Sequence, residues 1–310
     1  MSARGGGRLI ILLYHRVLPR PDPLRPFEPD TAGFEWRMKA LATHFNVLPL
    51  SKAVNLLKAN ELPERAACIT FDDGYADNAN LALPILKKFN LPATFFVAAG
   101  FLDRGRMWND TVIESVRKAD GERLDLRSVG LDEYDINGLP ERRFAAQAIL
   151  NELKYLEPGT RSELVTKIAD KIGSTLPDNL MMQANDLKAL INADMEIGGH
   201  TITHPILTRL SHRKAHEEIA GGKKYLEDVI GQPVSLFAYP NGQPLQDYDN
   251  SHVKLARDIG FEAAVTTSWG VASSGCDPMQ LPRFTPWDTS PFRFVVRLMH
   301  HYTKIQPQLC

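Results

Sequence analysis

Residues 66–75 read Ala-Ala-Cys-Ile-Thr-Phe-Asp-Asp-Gly-Tyr, six uncharged residues running straight into two adjacent carboxylates and a glycine. A short apolar run bounded by turn residues reads as a buried strand. The next such run, Ala93–Ala98 (ATFFVA), follows a stretch of helical character that ends near Asn90. Strand, helix and strand in that order indicate a parallel βα unit, and hence an α/β fold.

The same rhythm extends in both directions. Upstream, Leu9–Tyr14 is an apolar run after a glycine cluster, followed by a loop holding Pro19, Pro21, Pro23, Pro26 and Pro29. Asp30 can cap a helix in which Phe34, Met38, Leu41 and Phe45 recur at helical spacing. A second helix is expected near Ser51, with Leu50, Val54 and Leu57 on one face. Downstream, Met195–Gly198, Val234–Ala238 and Glu262–Thr266 read as strands, and Ser211–Ile230 as a long helix closed by Gly231. Phe292–His301 has the pattern of an amphipathic helix. Between residues 101 and 193 the pattern changes. Helical segments such as Glu141–Leu156 and Arg161–Ile172 are punctuated by Gly130, Gly138, Pro140 and Pro158, and no clear strand appears. We read 101–193 as a helical insertion covering or flanking a site, too thin in apolar content to fold alone. Residues 1–310 then form a single catalytic domain, a length that α/β barrels commonly reach.

Composition narrows the function classes. Of 310 residues, 36 are basic and 37 acidic, so the formal charge is −1 and the basic excess of a nucleic-acid groove is missing. Cys68, Cys276 and Cys310 are too few and too scattered for a disulfide framework, and Cys68 and Cys276 read as ordinary buried thiols. Arg4 and Arg8 precede the apolar run 9–13, but that run is too short for an export signal and lacks a small-residue cleavage site. No stretch has the length of a membrane span. A cytoplasmic location is the expectation, and the oligomeric state is left open.

Three clusters fall where a strand gives way to a loop, the end at which α/β barrels gather their reacting groups. In Asp72-Asp73 the side chains point different ways because extended backbone alternates, so one carboxylate can bind a cation while the other faces a substrate. The alternative is a helix N-cap. In Gly198-Gly199-His200-Thr201-Ile202-Thr203-His204-Pro205, two imidazoles four apart can converge on one ion. One carboxylate with two imidazoles leaves positions for water and substrate, as catalytic zinc sites do. A bound cation acidifies water, and the spare aspartate suits a general base. The third cluster is Phe237-Ala238-Tyr239-Pro240-Asn241-Gly242.

TFDDGY followed by HTITHP resembles the NodB-like polysaccharide deacetylases, carbohydrate esterase family 4. The resemblance spans nearly the whole chain and implies a distorted (β/α) barrel that removes N-acetyl groups from amino-sugar glycans. It implies Asp72 as base and Asp73, His200 and His204 as ligands of one divalent metal, zinc first, with Co2+, Ni2+, Fe2+ or Mn2+ also accepted by such a set. FAYPNG is similar to the family's third motif and implies the Asn241 amide as oxyanion donor. The sequence departs from that motif at Ala238, where the family carries an arginine that orients the base. Arg283 of Leu281-Pro282-Arg283-Phe284 is the proposed substitute, with a surface ion pair as its alternative.

No late general acid is evident, since His300 and His301 read as surface residues of the last helix. His15 ends the first strand, beside the last strand in a barrel, and is the candidate acid, with a backbone-bonded core histidine as its alternative. Tyr239, Asn241 and Trp108 are candidate substrate contacts, Trp269 a weaker one, and Asp77 either tunes the site or starts a helix. The expected substrate is an N-acetylated oligo- or polysaccharide, or a glycan precursor. Two other readings stay open: an amidase acting on a cyclic imide or ureide, and a non-catalytic glycan-binding relative, since fold does not fix function.

Overall fold

The computed structural model describes residues 7–103 and 105–303, so Arg4 and Cys310 lie outside the described residues. From the first strand, β1 (Arg8–Tyr14), the chain passes through α1 (Thr31–His44), the two-residue β2 (Asn46–Val47) and α2 (Leu50–Lys58). The deciding stretch is β3 (Ala66–Phe71), with the bounds its composition indicated. A π-helical turn at Asn78–Ala82 leads to α3 (Leu83–Lys88) and then β4 (Thr94–Val97). The barrel resumes with β7 (Glu196–Gly199), α8 (His212–Ile230), β8 (Leu236–Ala238), α9 (Asn250–Asp258), β9 (Ala263–Trp269), β10 (Ala272–Ser273), β11 (Leu281–Arg283) and α10 (Pro291–Thr303).

The main sheet runs β10-β1-β3-β4-β7-β8-β9-β11, with β2 pairing beside β3. All pairs but the antiparallel β1–β10 are parallel. The ends meet: Leu13 donates its N–H to the Phe284 carbonyl at 2.9 Å, and Phe284 donates to that of Ile11 at 2.8 Å. That seam makes a nearly closed, distorted barrel, as the strand rhythm and the resemblance implied.

Strand alternation sorts the core into two layers. Leu9, Ile11, Ala66, Cys68, Phe96, Ala238 and Val265 form one apolar cluster, plugged by Leu50, Val54 and Leu57 of α2. Ile10, Leu12, Ile69, Phe71, Phe95 and Val97 belong to the other, with residues of α1, α3, α8 and α10. Asp30 caps α1 by accepting from the Gly33 N–H at 2.7 Å. Ser211 caps α8, which Gly231 closes in the left-handed conformation at φ 71°. Among the described residues no helix is long and apolar enough to cross a membrane.

The stretch after β4 departs from two expectations. It holds α4 (Trp108–Lys118), α5 (Leu139–Lys154), α6 (Pro158–Ile172) and α7 (Ala184–Ile191), and also a small hairpin of β5 (Arg123–Asp125) and β6 (Glu133–Asp135). Each of those strands buries one side chain, Leu124 or Tyr134, too little for alternation to register. Its apolar content is not thin either, because Val112, Val116, Ile149, Leu153 and Ile168 build a cluster of their own. Arg25 and Asp110, paired at 2.7 Å, tie this region to the loop after β1.

Candidate active site

Two strand ends converge on one point. Asp73 follows β3, and His200 and His204 follow β7. Asp73 Oδ1 lies 3.4 Å from His200 Nε2 and 3.3 Å from His204 Nε2, and one ligand atom from each residue falls within 4.8 Å of the others. Asp73 Oδ1 is buried with no hydrogen-bond partner. A buried oxygen without a donor is costly unless something absent from the protein atoms satisfies it. His200 Nδ1 lies 2.7 Å from the Ala238 carbonyl, and as donor in that contact it leaves the Nε2 lone pair toward Asp73. An oxygen and two imidazole nitrogens aimed at one point suit a borderline divalent ion, so the residues present fit a metal.

Burial pushes the His204 imidazolium down to about 4, against the pull of Asp73. Burial also opposes charge on His200, but the adjacent Asp73 and Asp72 carboxylates outweigh it and raise its pKa. For Asp73 burial would raise the carboxyl, yet the two imidazoles hold it well below the usual carboxylate range.

The backbone here is strained. Asp73, Thr201, His204 and Asn241 have φ of 76°, 67°, 54° and 60°. Non-glycine residues adopt that region only when their surroundings enforce it, and such residues concentrate at functional sites. Here the enforcing contacts are visible. Glu218 of α8 accepts the N–H groups of Ile202 and Thr203 at 2.9 and 2.8 Å, and Gly100 donates to the Ile202 carbonyl at 2.8 Å. A Cβ on Gly222 would stand 2.7 Å from the Thr201 carbonyl, so only glycine lets α8 approach the loop this closely.

Asp72 lines the same cavity as Asp73, His200 and His204 but has a different partner. The Arg283 guanidinium donates to both its oxygens, at 2.7 and 2.6 Å. Arg283 is held in turn by the Thr266 carbonyl at 2.8 Å and Thr70 Oγ1 at 3.2 Å, and its side chain is fully buried. It is therefore not a surface ion pair. Burial would raise the Asp72 carboxyl, but the Arg283 charge and hydrogen bonds leave it below its ordinary value.

A cavity of about 510 Å³ opens above these groups, lined among others by His15, Asp72, Asp73, His200, His204 and Asn241. The Asn241 N–H has no hydrogen-bond acceptor among the described residues, while its carbonyl accepts from Thr267 Oγ1 at 2.6 Å. Asp77 accepts from Arg16 Nε at 2.8 Å and the Val17 N–H at 3.0 Å, so it braces the loop carrying His15.

Other expectations are corrected. Tyr239 is fully buried, stacked on Tyr248 with ring centroids 4.0 Å apart, and donates to the Met279 carbonyl; it does not line the cavity. Trp108 lines a neighbouring cavity beneath Arg161. Trp269 stacks on Phe284 and Trp287 and lies outside the cavity lining. His301 is half-buried against Phe284 and Trp269 instead of lying free on the surface, and Cys276 is only half-buried. The lining residues Arg16, Arg25, Glu28, Lys154 and Gln243 went unforeseen, because each reaches the cavity from a loop or helix without a local pattern.

Comparison with known proteins gives the same picture. The sequence profile of the family described as Polysaccharide deacetylase matches residues 59–153 and 164–264. The Bacillus subtilis protein YxkH, assigned by name to the polysaccharide deacetylases, is 23% identical over 268 residues, 86% of this chain and 67% of that protein. The poly-beta-1,6-N-acetyl-D-glucosamine N-deacetylase of Staphylococcus aureus is 23% identical over 141 residues, 45% of this chain, and this stretch spans about half of its length (49%). Among solved structures, the Streptococcus pyogenes deacetylase PplD in complex with acetate superposes with a TM-score of 0.64 at 20% identity, covering 96% of this chain and 99% of that one. IcaB from Ammonifex degensii gives 0.62 at 20% identity with the same coverage. At those identities the two structures establish a shared fold.

Proposed function

The chain belongs to the polysaccharide deacetylase family, and from that premise we propose that it is a metal-dependent hydrolase removing the N-acetyl group from an amino-sugar-containing glycan or glycan precursor. The observation that carries the reading is the division of labour between adjacent carboxylates. Asp73 faces two imidazoles with an unsatisfied oxygen, and Asp72 is clamped by Arg283 at the same cavity.

Asp73, His200 and His204 would hold the ion, zinc being the first expectation, and a bound dication supplies Lewis acidity toward the acetyl carbonyl and acidifies water. Asp72 takes the proton from the attacking water. Arg283 keeps that carboxylate ionised and fixes its plane, while each oxygen retains a second lone pair for the proton. The Asn241 N–H is the donor for the carbonyl oxygen as its negative charge develops. His15 gives a proton to the departing amine nitrogen, so the C–N bond breaks to acetate and a free amino sugar.

The arginine that FAYPNG lacks at Ala238 has a counterpart in Arg283, which speaks against a binding-only relative. The test is acetate release from N-acetylated oligosaccharides by the purified chain, with metal content measured alongside. Asp72→Asn should keep its metal and lose nearly all turnover. Full activity in that variant, or ring opening of a cyclic imide without acetate release by the unaltered protein, would overturn the reading.

A further inference from the structure

Five arginines are buried among the described residues: Arg16, Arg25, Arg37, Arg161 and Arg283. Three have a carboxylate within 2.8 Å. Arg161, on α6 and 6% exposed, forms no ion pair among the described residues. Its guanidinium lies over the Trp108 ring, 4.7 Å from the centroid, and makes one hydrogen bond, to the Lys154 carbonyl at 3.3 Å. Arg37 also lacks a carboxylate, but it lines neither cavity near the site. A buried charge is ordinarily paired. Burial accordingly pulls the Arg161 pKa down, with only Glu157 opposing.

Arg161 faces a cavity of about 620 Å³ that also holds Arg106, Ser162 and Thr203. Arg106 donates to Thr111 Oγ1 at 3.0 Å and to the Pro177 carbonyl at 2.9 Å, and it too has no ion pair among the described residues. Asp170 is the one carboxylate of the described lining and pairs with neither arginine. Glu157 is engaged by the first turn of its own helix, accepting from the N–H groups of Gly159 and Thr160. The cavity thus carries two guanidiniums against one carboxylate. It adjoins the catalytic one, because successive residues divide between them: Trp108 and Thr203 line this cavity, Asn109 and His204 the other.

We propose that this cavity is a subsite for an oxyanion, phosphate or carboxylate, carried by the same substrate whose acetamido group enters the catalytic cavity. A guanidinium stacked on an aromatic ring is pre-oriented, and its planar fork matches two oxygens of a carboxylate or phosphate. Trp108 is then the base on which that fork rests. The inference rests on the deacetylase reading for the identity of the substrate, but the anion binding itself can be measured independently of catalysis.

The experiment is calorimetric titration of the full chain with inorganic phosphate, with N-acetylglucosamine 1-phosphate and with neutral N-acetylglucosamine, each with and without a metal chelator. Both phosphates should bind, the sugar phosphate more tightly than the inorganic ion, and the neutral sugar at least about tenfold more weakly than the sugar phosphate. Chelation should leave inorganic phosphate bound, since no metal is part of this site. Arg161→Gln and Arg106→Gln should each weaken phosphate about tenfold, and Arg161→Lys should weaken it less than Arg161→Gln. The two glutamine variants sit on separate segments, so a folding failure of one leaves the other to decide. Undetectable phosphate binding, binding abolished by chelation, or undiminished binding in folded Arg161→Gln overturns the subsite. A sugar phosphate that binds no better than inorganic phosphate overturns its assignment to the substrate. Failure of acetate release with intact phosphate binding would instead count against the deacetylase reading alone.

Discussion

Arg283 and Asp72, 211 positions apart in the chain, meet through two hydrogen bonds of 2.7 and 2.6 Å with the guanidinium fully buried. The pair joins the first half of the barrel to its last strand. Its bidentate geometry also fixes the plane in which Asp72 offers its remaining lone pairs.

Removing the clamp should therefore act on both chemistry and stability. In Arg283→Met the carboxylate keeps its burial and loses what holds its pKa down, so the acid limb of the activity profile should move to higher pH. Breaking a buried pair from one side costs about 3–5 kcal/mol. The sign follows from the lowered Asp72 pKa. A depressed carboxylate stabilises the fold above its unfolded value of about 3.9 and loses that contribution as pH falls through the folded value. The stability gap between Arg283→Met and the unaltered protein should be full above the raised carboxyl pKa of the variant and shrink as pH falls from there toward the lowered value of the unaltered protein. Denaturant melts at several pH values would show it, and a gap independent of pH would argue that the arginine only fills space.

Metal removal should be visible without any activity assay. A ligand present at about 100 times its Kd stabilises the folded state by about 2.7 kcal/mol. In a chain of this size that corresponds to a rise in Tm of several degrees, roughly 2–4 °C per kcal/mol. Chelation should abolish the rise and excess zinc restore it. Asp73→Ala and His204→Ala should show no metal-dependent change, whereas Asp72→Asn should respond like the unaltered protein. Equal responses in all four would place the ion elsewhere.

His15 is assigned to the leaving group, so its loss should depend on what leaves. His15→Asn should slow amide hydrolysis by about 10²–10⁴-fold, the range typical of a positioned acid. An aryl acetate, whose phenolate departs without a proton, should suffer far less. Metal content should not change. An equal loss on both substrates would make His15 a structural residue of the loop that Asp77 braces.

The sequence itself carried much of this architecture, and what it left out has physical causes. β3 and the four residues Asp72, Asp73, His200 and His204 were legible because a buried strand must end in a turn, and chemistry collects at that end. Arg283 was legible only as a candidate, since nothing in Leu281-Pro282-Arg283 reveals a partner 211 residues away. Tyr239 misled, although period-two alternation held the correction. Ala238 packs in the inner cluster, so Phe237 and Tyr239 both turn to the outer one. The hairpin at 123–135 offers one buried residue per strand, below what periodicity can register.

Gly222 tests whether the ligand loop depends on the helix beneath it. A methyl at this position would lie 2.7 Å from both the carbonyl carbon and oxygen of Thr201, backbone atoms that can yield only by moving the loop or α8. Gly222→Ala should cost about 1–3 kcal/mol, as overpacking does. It should also weaken metal binding, although it touches no ligand. Gly231→Ala is the control. Its added methyl meets nothing within 4 Å, but its φ of 71° is unfavourable for alanine, which costs about 1–2 kcal/mol. Similar stability losses with metal affinity reduced only in Gly222→Ala would establish the dependence, and unchanged affinity in both would refute it.

Asp110 tests how the region after β4 is fixed to the barrel. It is fully buried on α4, accepts from Arg25 at 2.7 Å and the Met107 N–H at 3.1 Å, and has the Tyr75 hydroxyl 3.3 Å away. Arg25 comes from the proline-rich loop after β1, and Tyr75 from the turn that carries Asp72 and Asp73. Asp110→Ala takes the shorter of its two carboxylate partners from the Arg25 guanidinium and leaves Glu114 at 3.7 Å, so it should cost up to about 3–5 kcal/mol. Arg25→Met alone should cost a comparable amount by leaving the carboxylate. In the double variant neither charge remains unpaired, so its loss should fall well short of the sum of the single losses. A coupling of about 0.5–3 kcal/mol is normal for residues in contact. Strict additivity would mean that solvent, not Arg25, compensates Asp110, and the region after β4 would then be held to the barrel by its other contacts, among them the Arg117–Asp22 pair at 2.6 Å.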